Sequence, residues 1–380
     1  MITAAILSAV LSAGGCRYFW ISADGLETEA SVEALMAAAA AAGANGVIVQ
    51  VAGRGEAWYR SDELPMARVT ADFDPLALVL SEAARYGMEV HAWVNAFLTW
   101  SAPFEPGDRR HVWHAHPEWF MEDSSGRSTR SYSREECEAA GIVGATLSPA
   151  VPAVRERLAR ICCEIPARYD VDGIHLDYIR YPGAGFGFEA AARDRFFLET
   201  GADPPWLPSA RRFAGSTASS GEWRDYRADL VTESVRCVRA ALRSSRPGVM
   251  LSAAVMADPR TALEDYGCDW AAWLDEGLVD FVCPMAYTTS RTRAAELARL
   301  GAAAGGDRAV HGIAVFNQTL ADALPGAGEA LSAGAGGVCV YSLNTFDPAQ
   351  SEMLSGFWGS GSPVHPPDAA ILHRLAGWRP

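Results

Sequence analysis

The chain has 380 residues, 49% of them hydrophobic and 21% charged, and a formal net charge of −14. That length holds one large domain with a full core or two small ones, and the apolar content excludes global disorder. An acidic chain without a basic block is a poor match for nucleic acid or an anionic membrane, and a neutral, sugar-like substrate fits its charge better.

The opening segment MITAAILSAVLSAGGC (1–16) is apolar, rich in small residues and too short to span a bilayer as a helix. It resembles the apolar part and cleavage region of a secretory signal, and LSAGGC loosely resembles a lipoprotein cleavage box. Export or cell-envelope association is therefore expected. No Lys or Arg precedes the apolar run, so a cytoplasmic protein whose leader packs on the fold stays open.

Strand-like runs at 17–22, 46–51, 88–95, 171–179, 249–256, 279–287, 309–316 and 336–343 alternate with helical stretches. The helices are expected around 29–42, 74–86, 151–168, 222–245, 269–276, 291–304 and 320–333. Alternating β and α units imply a parallel sheet, and eight of them predict an α/β (β/α)8 TIM barrel. A doubly wound open sheet is the alternative, but no G-x-G-x-x-G follows the first strand. The expected plan is the leader 1–16, a barrel domain 17–350 and a Gly/Pro-rich tail 351–380 packed as irregular structure. The connections after strands 3 and 4 (96–150 and 178–222) are long, and long loops at the C-terminal face of such a barrel wall its cleft.

Eight cysteines are scattered without a C-x-x-C pair, so no zinc or redox site is indicated. His111, His114 and His116 lie close together in the loop 100–123, but they lack a carboxylate-rich or H-E-x-x-H pattern. No metal and no cofactor are expected. The aromatics of that loop (Trp100, Trp113, Trp119, Phe120) are expected to form a sugar platform, with a minicore of their own as the alternative.

The chemistry is expected at strand ends. In DGIHLD, Gly173, His175 and Asp177 share one strand face, turned to the barrel interior and its mouth. Asp177 is the leading candidate for nucleophile or charge stabiliser; a plain ion pair with Arg180 is the structural alternative. On the third strand His91, Trp93 and Asn95 share the inner face. Trp93 and Asn95 suit sugar stacking and hydroxyl contacts, and His91 suits an interior network better than catalysis. Gln50 ends the second strand; Arg54 could lock a carboxylate such as Asp177, and Glu56 could be a general acid or an ion-pair partner. Asp258, before a proline at the end of the fifth strand, is the first choice for the general acid, with a turn-starting role as its alternative. Tyr287 could orient the nucleophilic carboxylate; Asn317 ends strand seven, and Tyr341 and Asn344 end strand eight.

RYFWI, VIVQVAGRGEAWY, FDPLALVLSEAARYGMEVHAWVN, YDVDGIHLDYIRYP and CDWAAWLDEGLVDFVCPMAY, in that order, resemble the glycosyl-hydrolase-like family 10 proteins of bacteria over about residues 17–345. The resemblance implies a TIM barrel, often exported or envelope-anchored, that cleaves glycosidic bonds, in some members those of peptidoglycan strands stripped of peptide. By motif it carries over Arg54 and Glu56; His91, Trp93 and Asn95; Asp172, His175, Asp177, Arg180 and Tyr181; and Asp269, Trp270 and Tyr287. It implies substrate contacts for Arg180 and Tyr181. The chain departs at Ala52, where many relatives carry Arg, at Ala286, where many carry Asn, and at Tyr178, where some carry a second Asp. Those losses imply altered specificity or weakened activity.

The expectation is a glycoside hydrolase that cleaves a polysaccharide or cell-wall glycan with two carboxylates. A non-catalytic glycan-binding barrel is the alternative, and metal-dependent deacetylation of a glycan through the loop histidines is a third reading. The expected partner is an oligosaccharide or polysaccharide, with no nucleic acid and no membrane-spanning segment.

Overall fold

The structure, a computed structural model, describes residues 15–213 and 215–358; most of the leader and positions 359–380 of the tail lie outside the described residues. Eight parallel strands form the barrel: β1 (Cys16–Ile21), β2 (Gly46–Gly53), β3 (Glu89–Asn95), β4 (Gly173–Asp177), β5 (Met250–Met256), β6 (Phe281–Met285), β7 (Val310–Ala314) and β8 (Gly337–Tyr341). They neighbour one another in chain order, and β1 pairs with both β2 and β8, so the sheet closes on itself. Closure rules out the doubly wound alternative.

Strand alternation sorts the core into two. Tyr18, Trp20, Ile48, Trp93, Cys283 and Cys339 fill the interior, while Val47, Val49, Ile174 and Leu176 pack against the helix layer. Two bulky interior rings are seated beside a glycine of the next strand. Tyr18 is in register with Gly46, and His91 with Gly173. A Cβ on either glycine would overlap the ring, so these positions must stay empty for the interior to close.

Local signals start and stop the helices. Asp74 caps the helix Pro75–Tyr86, with Pro75 at its first position and Gly87 (φ 66) ending it. Ser219 and Glu222 form a capping box on the long helix Ser220–Ser245. Two elements depart from the sequence reading. The Asp258-Pro259 pair starts a helix, Pro259–Tyr266, and not a simple turn. Ser351–Trp358, the start of the expected irregular tail, is also helical. It docks through the Trp358 indole, which donates to the Ala42 carbonyl at 3.0 Å. No helix among the described residues is long and apolar enough to cross a membrane.

The two long connections carry structure and are fastened together. In the first, Leu98–Trp100 pairs antiparallel with Ala145–Thr146; the second holds the helix Ala190–Thr200. Arg211 of the second donates to the Glu122 carboxylate at 2.7 Å and to the Ser124 carbonyl at 3.0 Å. The N–H groups of Gly187 and Phe188 both donate to the Glu122 carbonyl at 3.0 Å.

Candidate active site

Asp177 ends β4 at the C-terminal mouth, where barrel sites are built. It is only 6% exposed. Its Oδ1 accepts from the Tyr178 N–H at 2.7 Å and from Arg180 Nη1 at 3.2 Å. Tyr178 adopts a left-handed φ of 51, a conformation that costs a bulky residue roughly 1–2 kcal/mol. That turn returns Arg180 over the Tyr178 ring, 4.6 Å from its centroid. Burial pushes the Asp177 carboxyl above its ordinary range; the Arg180 guanidinium, the Tyr178 N–H and the Trp93 indole pull it back only in part.

Beside Asp177, Asn95 Oδ1 accepts from the Trp93 indole at 2.9 Å and from Gln50 Nε2 at 3.3 Å. Gln50 Oε1 in turn accepts the Ala23 N–H at 3.1 Å. The Asn95 oxygen is thus occupied twice, and its amide nitrogen is the end with hydrogen-bond capacity to offer a ligand. Beneath lies His175. The Trp20 indole can only donate, so His175 Nε2 accepts its hydrogen bond at 3.2 Å, and Nδ1–H donates to Ser252 Oγ at 2.8 Å. Burial holds this imidazole well below its ordinary pKa, so it is neutral.

The opposite wall is aromatic. Tyr287 and Tyr341 stack at 5.5 Å, Trp20 meets both edge-on, and Phe316 stands perpendicular to both. Burial raises the Tyr341 phenol, and the charges of Asp177 and Asp24 raise it further. Asp24 lies after β1 and accepts from Asn344 Nδ2 at 3.1 Å. Neither Phe316 nor Asp24 stood out in the sequence. Phe316 closes an apolar run that reads as core, although the Asn317-Gln318-Thr319 that follows marks the strand's end.

The two candidate proton donors sit in opposite surroundings. Glu56 lies in a short antiparallel extension of β2, opposite Gly53. It is half-buried, and burial raises its carboxyl; Arg54 draws it down and Asp108 pushes it up. Asp258 instead caps the helix Pro259–Tyr266, accepting from the Arg260 and Thr261 N–H groups, and pairs with Arg293 at 3.3 Å. Burial pushes its carboxyl up, but those partners outweigh it and hold it below the ordinary range. That is the reverse of what a proton donor needs, so the first choice made from sequence passes to the second, Glu56. Asp258→Ala is expected to cost about 0.5–2 kcal/mol of stability, as the loss of a helix cap does, and to leave any hydrolytic rate within about threefold; urea unfolding and a rate assay check the pair.

Several other expectations are corrected. The guanidinium on Asp177 belongs to Arg180; Arg54 is exposed, and what it contributes to its neighbours is its carbonyl, which takes His111 Nε2 at 2.8 Å. Tyr181 is fully buried under the Arg227 guanidinium, 4.1 Å from its ring centroid, and does not reach the cleft. His91 is also fully buried, between Tyr18 and Phe281, deep in the barrel. It makes no hydrogen bond through either ring nitrogen and has a 3.7 Å contact with Glu89. His175 serves as floor, and Trp93, 5% exposed, gives its N–H rather than its face. Asn317 is exposed beside Phe316.

The loop 100–123 builds its own minicore. Trp100 packs edge-on against His111, and Trp113 against Phe120. His111 is held on the Arg54 carbonyl, and burial lowers it to about 4. His114 faces the Pro106 carbonyl at 2.7 Å, and His116 stacks on Trp119 at 3.7 Å. Among the described residues no group of three or more His, Cys, Asp or Glu side chains is arranged to hold a metal ion.

Comparison with known proteins agrees with this fold. Residues 17–308 match the family described as Glycosyl hydrolase-like 10. Glycosyl hydrolase DigH of Escherichia coli (strain K12) is 25% identical over 278 residues, 64% of this chain and 55% of that protein. Glycosyl hydrolase YngK of Bacillus subtilis (strain 168) is 22% identical over 269 residues, 64% of this chain and 46% of that protein. The chain therefore aligns with about half the length of these relatives. The PgaB (BpsB) glycoside hydrolase domain from Bordetella bronchiseptica has the same fold: TM-score 0.69, 14% identity, 91% of this chain and 99% of that one. A β-galactosidase from Bacillus circulans gives a TM-score of 0.62 at 15% identity, over 87% of this chain and 51% of that one.

Proposed function

From the premise that the chain belongs to the glycosyl hydrolase-like 10 family, we propose that it hydrolyses O-glycosidic bonds of a polysaccharide or cell-wall glycan. The observation that carries the reading is a buried carboxylate, Asp177, at a barrel mouth lined by tyrosines and amide side chains. Asp177, beside the Arg180 cation, supplies the negative charge that an oxocarbenium-like transition state needs. Glu56 protonates the leaving oxygen, and water completes the cleavage. Burial and Asp108 keep Glu56 protonated to higher pH than an exposed glutamate. The apolar leader supports placing this activity outside the cytoplasm or at the envelope.

The test is reducing-end release from a panel of glycans that includes peptide-free peptidoglycan strands. Release by the wild type supports the reading, and no release on any substrate overturns it. The pH profile gives a second check. Asp177 must be ionised, and its raised pKa makes the rate fall as acid is added. Glu56 must be protonated, so the rate falls again as pH rises through its own raised pKa. Glu56→Gln is expected to lower the rate about 10²–10⁴-fold and to remove the alkaline limb; a mutant that keeps that limb clears Glu56 of the role.

One observation favours a non-catalytic glycan-binding barrel. Asp177 is tied to Arg180, and Asp258, the first choice from sequence for the acid, is tied to a helix N-terminus and Arg293. Oligosaccharide binding without reducing-end release would be that reading's signature.

A further inference from the structure

Phe316 follows β7 at the cleft wall and is 54% exposed. The segment that carries it is tied on both sides. The Val315 N–H donates to the Tyr341 carbonyl at 2.8 Å. Gln318 Nε2 donates to the carbonyls of Thr288 and Ala314 at 3.2 and 3.3 Å. The ring is thus held out by its backbone and oriented by perpendicular contacts with Tyr287, at 6.1 Å and 88°, and Tyr341, at 5.8 Å and 85°. Those contacts leave more than half of it in water. Asn317, also exposed, follows directly.

A phenyl face is apolar and electron-rich, and it attracts the weakly positive C–H groups of a flat partner. A pyranose with all substituents equatorial presents its C–H bonds axially, as such a partner, with hydroxyls around its rim for groups such as Asn317 and Asn95. Phe316 offers no polar atom of its own, so it selects by ring shape alone.

We propose that Phe316 is the stacking platform of a sugar subsite next to Asp177, and that it takes a pyranose ring whose substituents are all equatorial. The proposal rests on the carbohydrate reading above, whether that carbohydrate is cleaved or only bound.

Calorimetric titration of the full chain tests it, with chitotetraose and cellotetraose as probes and mannotetraose, whose 2-hydroxyl is axial, as the control. The wild type is expected to bind the two equatorial tetrasaccharides more tightly than mannotetraose. Phe316→Ala should bind them at least about tenfold more weakly, and Phe316→Trp should stay within about threefold of the wild type. A thermal midpoint for Phe316→Ala equal to that of the wild type ties the loss to the ring and not to unfolding. Equal affinity of Phe316→Ala and wild type overturns the platform, as does a wild type that binds none of the three. Reducing-end release, measured separately, tells the two readings apart: release with unchanged affinity in Phe316→Ala removes the platform alone.

Discussion

Asp177→Asn is expected to slow reducing-end release by about 10²–10⁴-fold. The substitution keeps the side chain's size and removes its charge, so the loss reads the carboxylate. It also strands Arg180, whose side chain is 13% exposed and whose partner is Asp177 at 3.2 Å. Removing one member of a buried pair costs about 3–5 kcal/mol, and a rate lost to unfolding would mislead. The double variant Asp177→Asn/Arg180→Met removes both charges. It is expected to regain most of that stability while staying inactive. A double variant that is stable and active would remove Asp177 from the reaction. The pH dependence has a fixed sign. A carboxyl raised by folding opposes folding while it is ionised, so its cost is present above its folded pKa and fades as pH falls through it. The double variant should lose that contribution.

Gly173→Ala is expected to destabilise the barrel by about 1–3 kcal/mol, the usual cost of overpacking a core. The new methyl would overlap the His91 ring, and His91 has no room to yield: it is fully buried between Tyr18 and Phe281. His91→Ala alone leaves a cavity. The two changes together should cost less than their sum, with a coupling of about 0.5–3 kcal/mol. Urea unfolding of the four proteins measures it. Additive costs would mean that the ring and the glycine do not exclude each other.

Much of the architecture was legible because a barrel strand announces itself by alternation and by the helix that follows. The same signal placed Asp177, His175, Trp93 and Asn95 on the inner face. Alternation gives the face and not the depth. His91 lies on the same face as Asn95, four residues earlier, about 13 Å down the strand at roughly 3.3 Å per residue, and so it belongs to the core. Asp258 was misjudged for a related reason. Asp-Pro fits a turn and fits a helix start, where Asp caps and Pro takes the first position; the apolar spacing of Ala262 and Tyr266 was the clue to the second. The ion pair of Asp177 with Arg180, the structural alternative weighed from sequence, forms, and what no residue type foretells is the left-handed turn at Tyr178 that brings it about. The expected sugar platform of the loop 100–123 proved to be that loop's own core, since a connection of that length must bury apolar groups to keep its shape.

His175 is locked between a donor that cannot accept and a serine, and burial keeps it uncharged. The ground under Asp177 is therefore uncharged at neutral pH. An inflection near neutral pH in a rate or binding curve is then not that imidazole's, and its nitrogen resonances should stay still there while the curve bends. The molecule thus carries an internal reference against which its acid–base chemistry can be read.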